Sequence, residues 1–127
     1  MDRVRDIEEA IGAHARWMSE IRQAVLDARF GVDVELIRAD DRCEFGLWLY
    51  GPRLSAEDRA TDSYEEVRHL HAEFHLLAAE VVERAAAGEA AEAYTLLYGE
   101  YVTLSGRLAL AMRAWQARLL QGIIGDA

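Results

Sequence analysis

Apolar side chains recur at alternating steps of three and four along three stretches of the chain, the spacing of helices that bury one face. The first stretch carries Val4, Ile7, Ile11, His14, Met18, Ile21 and Val25. The second carries Tyr64, Val67, His71, Phe74, Ala78, Val81 and Ala85, and the third Tyr94, Leu97, Tyr101, Leu104, Leu108, Ala111 and Trp115. Each predicts a long amphipathic helix. Between the first two the pattern is shorter and irregular. Phe30-Gly31 ends the first helix, an extra turn is expected over 32–37, and Asp33, Asp40 and Asp41 offer caps and turns. An N-cap at Asp40 or Asp41 predicts a short helix over 43–50, ended by Gly51-Pro52, with Cys43 in its first turn. Ser55-Ala56-Glu57-Asp58 has the form of a capping box with Asp as its fourth member, which starts the second long helix there and carries it to about Ala87, before Gly88. Three long helices and one short helix carrying the cysteine give an all-α fold, an antiparallel four-helix bundle, in a single domain over 1–127.

Composition narrows the function classes. The 127 residues hold 14 basic side chains, all arginine, against 23 acidic ones, for a formal net charge of −9. That balance disfavours nonspecific binding to nucleic acid or to anionic membranes, both of which need positive charge near phosphate. The longest stretch free of Asp, Glu, Arg and His is the eight residues from Phe45 to Pro52, far short of the roughly 20 apolar residues of a spanning helix. The N-terminus opens on mixed charges without the apolar run of a secretion signal, so a cytoplasmic location is expected. A single cysteine, Cys43, excludes an internal disulfide and fits a reducing compartment.

Histidines interrupt two of the three apolar seams. His14 stands in the first, His71 in the second, and His75 lies one helical turn beyond His71, so those two rings can converge on one point. With Cys43 they make three imidazoles and one thiol, the donor set of a closed tetrahedral zinc site. Taken singly, a histidine on an apolar stripe is more commonly a hydrogen-bonded core residue, and a buried cysteine an inert small hydrophobe. Taken jointly, several polar groups in one small core are costly unless a common partner satisfies them, and a metal is such a partner. His69 and Glu73 point elsewhere on the helix, so the immediate His-Glu pair of a zinc protease is missing, and four protein ligands leave no open position for hydrolysis. No catalytic residue is assigned and no enzyme activity is expected. As the only cysteine, Cys43 is also the candidate redox-sensitive group, since its oxidation would weaken a metal site. Two other readings remain open: a di-iron oxygen-binding bundle of hemerythrin type, and a metal-free helical interaction module. For the former the chain offers one Glu-x-x-His, Glu66 to His69, with its histidine off the seam.

The sequence resembles the bacterial chemoreceptor zinc-binding domain, over most of its length. The resemblance rests on His14-Ala15-Arg16-Trp17, on Cys43-Glu44-Phe45-Gly46-Leu47-Trp48-Leu49-Tyr50-Gly51 and on His71-Ala72-Glu73-Phe74-His75, with Tyr101 and Ser105 further on. It implies one zinc ion per chain held by His14, Cys43, His71 and His75, in a cytoplasmic, often dimeric regulatory module that responds to zinc or to oxidants such as hypochlorous acid. Trp17, Gly46, Trp48, Tyr50 and Phe74 would form the supporting shell. Trp48 and Tyr50 are expected as core or dimer-interface aromatics, and Gly46 as a point of close helix approach. Members of the family are usually attached to chemoreceptors or to cyclic-di-GMP-synthesising enzymes. Neither a cyclase segment nor a long signalling coiled coil accompanies these residues, so the output is expected to pass to such a protein in trans, or the chain is a piece of something larger. A homodimer is expected.

Overall fold

Seven helices follow one another along the chain in the computed structural model, which describes residues 2–28 and 33–125. They are α1 (Asp2–Leu26), α2 (Val34–Arg38), α3 (Glu44–Leu49), α4 (Ala56–Arg59), α5 (Asp62–Ala86), α6 (Ala90–Tyr98) and α7 (Glu100–Gly125). The described residues contain no strand, and the architecture is an all-α bundle. The expected break at Phe30-Gly31, and Val32 at the start of the expected extra turn, lie outside the described residues.

The seams do what their spacing predicts. All seven residues of the α5 seam are buried, as are Ile7, His14, Ile21 and Val25 on α1 and Leu108, Ala111 and Trp115 on α7. Neighbouring helices run in opposite directions: Tyr64 meets Trp115 with ring centres 5.9 Å apart while Phe74 meets Tyr101 at 4.8 Å, so residue numbers rise along α5 as they fall along α7. The second position of the bundle is filled by α2 and α3 in succession. The Tyr64 hydroxyl donates to the Leu49 carbonyl at 3.2 Å, and Phe45 stacks on His71. The core falls into two apolar clusters, one around Ile7, Phe45, Leu49, Val67, Leu108 and Met112, the other around Ile21, Ile37, Phe74, Val81, Leu97 and Tyr101. Burying His71 and His75 costs their hydration, so the gap between these clusters is where a partner for them is needed.

Three expectations are corrected. Cys43 is not in the first turn of α3 but is its N-cap, with Sγ accepting from the Gly46 N–H at 3.2 Å. The capping box at Ser55 forms, yet it starts only α4. Thr61 then caps α5, its hydroxyl accepting from the Tyr64 N–H at 3.1 Å, so the long helix begins at Asp62, six residues after Ala56, the first residue of α4. The third long helix is divided at Gly99, where a Cβ would lie 2.8 Å from the Thr95 carbonyl oxygen. α6 packs on α5 through Ala93 and Leu97, which leaves Tyr94 outside the core at 41% exposure.

Candidate metal centre

The i, i+4 spacing on α5 brings the rings of His71 and His75 to 4.5 Å between centres. The extended backbone of the α3 N-cap lays the Cys43 sulfur against both: Sγ is 3.4 Å from Nε2 of His71 and 3.4 Å from Nε2 of His75. The three donor atoms lie within 4.8 Å of one another. Ligands on a tetrahedral zinc, at about 2.3 Å for sulfur and about 2.0 Å for nitrogen, are separated by roughly 3.5 Å. The spacing of sulfur to nitrogen here therefore fits one shared ion.

Each ring is held by its surroundings. The Nδ1 of His75 is 2.7 Å from the carbonyl oxygen of Ile37. A carbonyl can only accept, so the proton sits on Nδ1 and the Nε2 lone pair faces Cys43. Trp17 lies over the His75 ring at 4.2 Å, and Phe45 stacks on His71 at 4.4 Å. Phe74, fully buried, meets the edge of His14. Gly46 is where α3 touches the preceding loop: a Cβ there would fall 2.0 Å from the carbonyl oxygen of Asp40. Trp48 is half-buried against Trp115, and Tyr50 is exposed with its hydroxyl donating to Asp40.

His14 stands apart from the close group. It is buried, but its Nε2 is 3.1 Å from the Ser105 hydroxyl on α7. It nonetheless lines the same cavity of about 200 Å³ as Cys43, His71 and His75, together with Trp17, Arg16 and Glu44. Arg16 and Glu44 are paired at 3.3 Å and exposed. His69, as expected, faces solvent and pairs with Glu73 at 2.9 Å.

Electrostatics favour the ligand forms of the imidazoles. Burial, followed by the neighbouring His75, pushes His14 down to about 4. Burial, with His75 and His14 adding to it, pushes His71 to about 2, and burial lowers His75 against the opposing Ile37 hydrogen bond. All three rings are neutral at pH 7, as metal ligation requires. Burial also raises the Cys43 thiol, although backbone N–H groups led by that of Gly46 favour the thiolate. A bound dication would supply the missing compensation and displace the proton. One sulfur and imidazole nitrogens suit zinc or a similar metal, whereas magnesium and calcium prefer oxygen.

The centre lacks the carboxylates of a di-iron site. Glu66 and His69 are exposed, and the buried acidic side chains among the described residues, Asp6 and Asp58, pair with Arg53 and Arg3. Sequence spacing missed the Ile37 carbonyl, which orients His75, and the place of the Asp40 carboxylate, whose Oδ2 lies 4.0 Å from Nδ1 of His71. A backbone carbonyl carries no residue signal, and Asp40 reads in sequence as a helix cap and as a negative charge near Cys43, not as a neighbour of His71.

A family model for the chemoreceptor zinc-binding domain matches residues 14–82, just over half of the chain. No curated protein and no solved structure matches. The match opens on His14 and spans Cys43, His71 and His75, so the chain belongs to the chemoreceptor zinc-binding domain family.

Proposed function

We propose that this protein is a non-enzymatic zinc-sensing module in which His14, Cys43, His71 and His75 hold one zinc ion. The observation that carries the proposal is the convergence of Cys43 Sγ on both Nε2 atoms at 3.4 Å, in a core where the rings are neutral and otherwise costly to bury. His14 is the fourth ligand, recruited from its contact with Ser105 across the shared cavity. Zinc would supply positive charge that favours the thiolate; the protein's residues supply the closed donor set. These donors come from α1, the α3 cap and α5, so occupancy links three segments and biases their packing. A partner that distinguishes the two packings reads the signal. Elemental analysis of untagged protein tests this: about one zinc per chain is expected, with strong loss in Cys43→Ser, and no zinc after loading would overturn it.

A cytoplasmic homodimer signalling in trans to a chemoreceptor or a diguanylate cyclase is the setting that suits such a module. Exposed Tyr94, Tyr98, Val102 and Leu110 on α6 and α7 offer the apolar surface of a dimer. No helix among the described residues is long and apolar enough to cross a membrane. Sedimentation of Tyr98→Glu beside the parent chain tests the dimer, and an unchanged assembly in that variant would count against this surface.

A second input rests on Cys43, which is half-buried and lines the cavity beside the exposed Arg16–Glu44 pair. Hypochlorous acid reaching the sulfur would be reduced to chloride, leaving a sulfenic acid that is a poorer ligand. Zinc release at stoichiometric hypochlorite is expected, and none would remove this input.

A further inference from the structure

His71 is 1% exposed, and its Nδ1 is a buried polar atom with no hydrogen-bond partner. Its counterpart on His75 is fully occupied by the Ile37 carbonyl. The Asp40 carboxylate approaches the unpartnered nitrogen, its Oδ2 lying 4.0 Å from it. That same oxygen accepts the Tyr50 hydroxyl at 2.5 Å, and the Asp40 carbonyl is pressed against Gly46, where no side chain fits between. Asp40 is therefore held at both ends, by its backbone against α3 and by its carboxylate on Tyr50. We propose that Asp40 is the outer carboxylate of the His71 ligand, and that Tyr50 positions it.

The physical reason lies in where charge appears. With Nε2 turned toward Cys43 and a metal, the ring carries its proton on Nδ1, and donation of electron density to a dication makes that N–H a stronger donor. A buried donor of that kind needs an acceptor, and a carboxylate about 1 Å beyond hydrogen-bond range needs only a small movement to become one. In the metal-free chain the weaker donor leaves the carboxylate on Tyr50. Asp40 thus acts through His71 and is a positioning residue; it touches neither the metal nor the sulfur. The pair Tyr50 and Asp40 also joins the end of α3 to the ring on α5, so occupancy at His71 is felt at the exposed rim of the bundle, where Tyr50 sits.

This inference rests on the zinc site proposed above, and its test separates the two. Zinc affinity is measured by competition with a chromophoric chelator for the parent chain, Asp40→Asn, Asp40→Ala and Tyr50→Phe. The Nδ1 protons of His71 and His75 are followed by NMR in the zinc-loaded forms. Loss of an outer ligand partner weakens binding by about 10- to 100-fold. Asp40→Asn, which keeps size but not charge, is expected to show that loss, and Tyr50→Phe a loss of several-fold. The His71 Nδ1 proton is expected to shift upfield and exchange faster in both Asp40 variants, while that of His75, held by Ile37, stays in place. Affinity within twofold of the parent in Asp40→Asn, or an unmoved His71 proton, would overturn the assignment to Asp40 while leaving the zinc site intact. A parent chain that binds no zinc would overturn both.

Discussion

His75 is tied through Nδ1 to the carbonyl oxygen of Ile37 at 2.7 Å, so one metal-ligand candidate on α5 is oriented by the backbone of a five-residue helix, α2. A helix that short is marginal by itself and depends on its tertiary contacts. Ordering the His75 ring should therefore order α2. Hydrogen exchange is expected to slow on zinc loading at residues 34–38 and 42–50, and around His14 at residues 10–17. Unchanged protection in those segments would separate metal binding from any packing change and remove the coupling.

Replacing Gly46 with alanine tests the close approach of α3 to the loop before it. The added methyl would meet the Asp40 carbonyl oxygen at 2.0 Å and the Asp41 Cα at 2.9 Å, both backbone atoms that cannot turn aside. The loop must shift, and Cys43 shifts with it. A destabilisation of about 2 kcal/mol or more is expected by denaturant unfolding, with zinc affinity lowered as well. Parent-like stability and affinity would show that the loop has room to move.

Acid should destabilise the metal-free chain in a defined window. His14 titrates near its ordinary 6.5 in the unfolded state but is pushed to about 4 by burial in the folded one. The unfolded chain therefore binds more protons between those values, and folding stability present above pH 6.5 is lost as pH falls toward 4. From His14 alone the loss is about 3 kcal/mol. His71 and His75, also lowered by burial, act in the same direction. Zinc affinity should fall over the same range, because protons compete for the same nitrogens. Unfolding midpoints that stay level from pH 7 to pH 4.5 would contradict this.

Much of this organisation is legible in the sequence because burial is periodic. The seven α5 seam positions are all buried, and His71 among them converges with His75, one turn on, as a four-residue step requires. What the pattern could not give is where helices stop. Ser55 and Thr61 both carry N-cap chemistry, and only the packing of α5 decides that Thr61 starts the long helix. Likewise Gly99 divides the third seam, although the three-four spacing of its apolar positions runs through that glycine without a break. In the site, Cys43, His71 and His75 come together from residue type and spacing, whereas His14 is placed on Ser105, a neighbour remote in sequence.

His14→Ala separates a three-donor from a four-donor site. The cluster of Cys43, His71 and His75 exists without His14, so the variant should still take up zinc. Binding is expected to weaken by at least about 10-fold, and an exchangeable water should complete the coordination. Affinity equal to the parent, measured by chelator competition, would show that His14 is a core histidine bonded to Ser105 and nothing more.

X-ray absorption at the zinc edge of the loaded chain reads the ligand set directly. One sulfur at about 2.3 Å and three nitrogens at about 2.0 Å are expected, with the sulfur scatterer absent in Cys43→Ser. A first shell made only of nitrogen and oxygen in the parent chain would contradict the account, because the convergence of Cys43 on His71 and His75 would then have no metal to explain it.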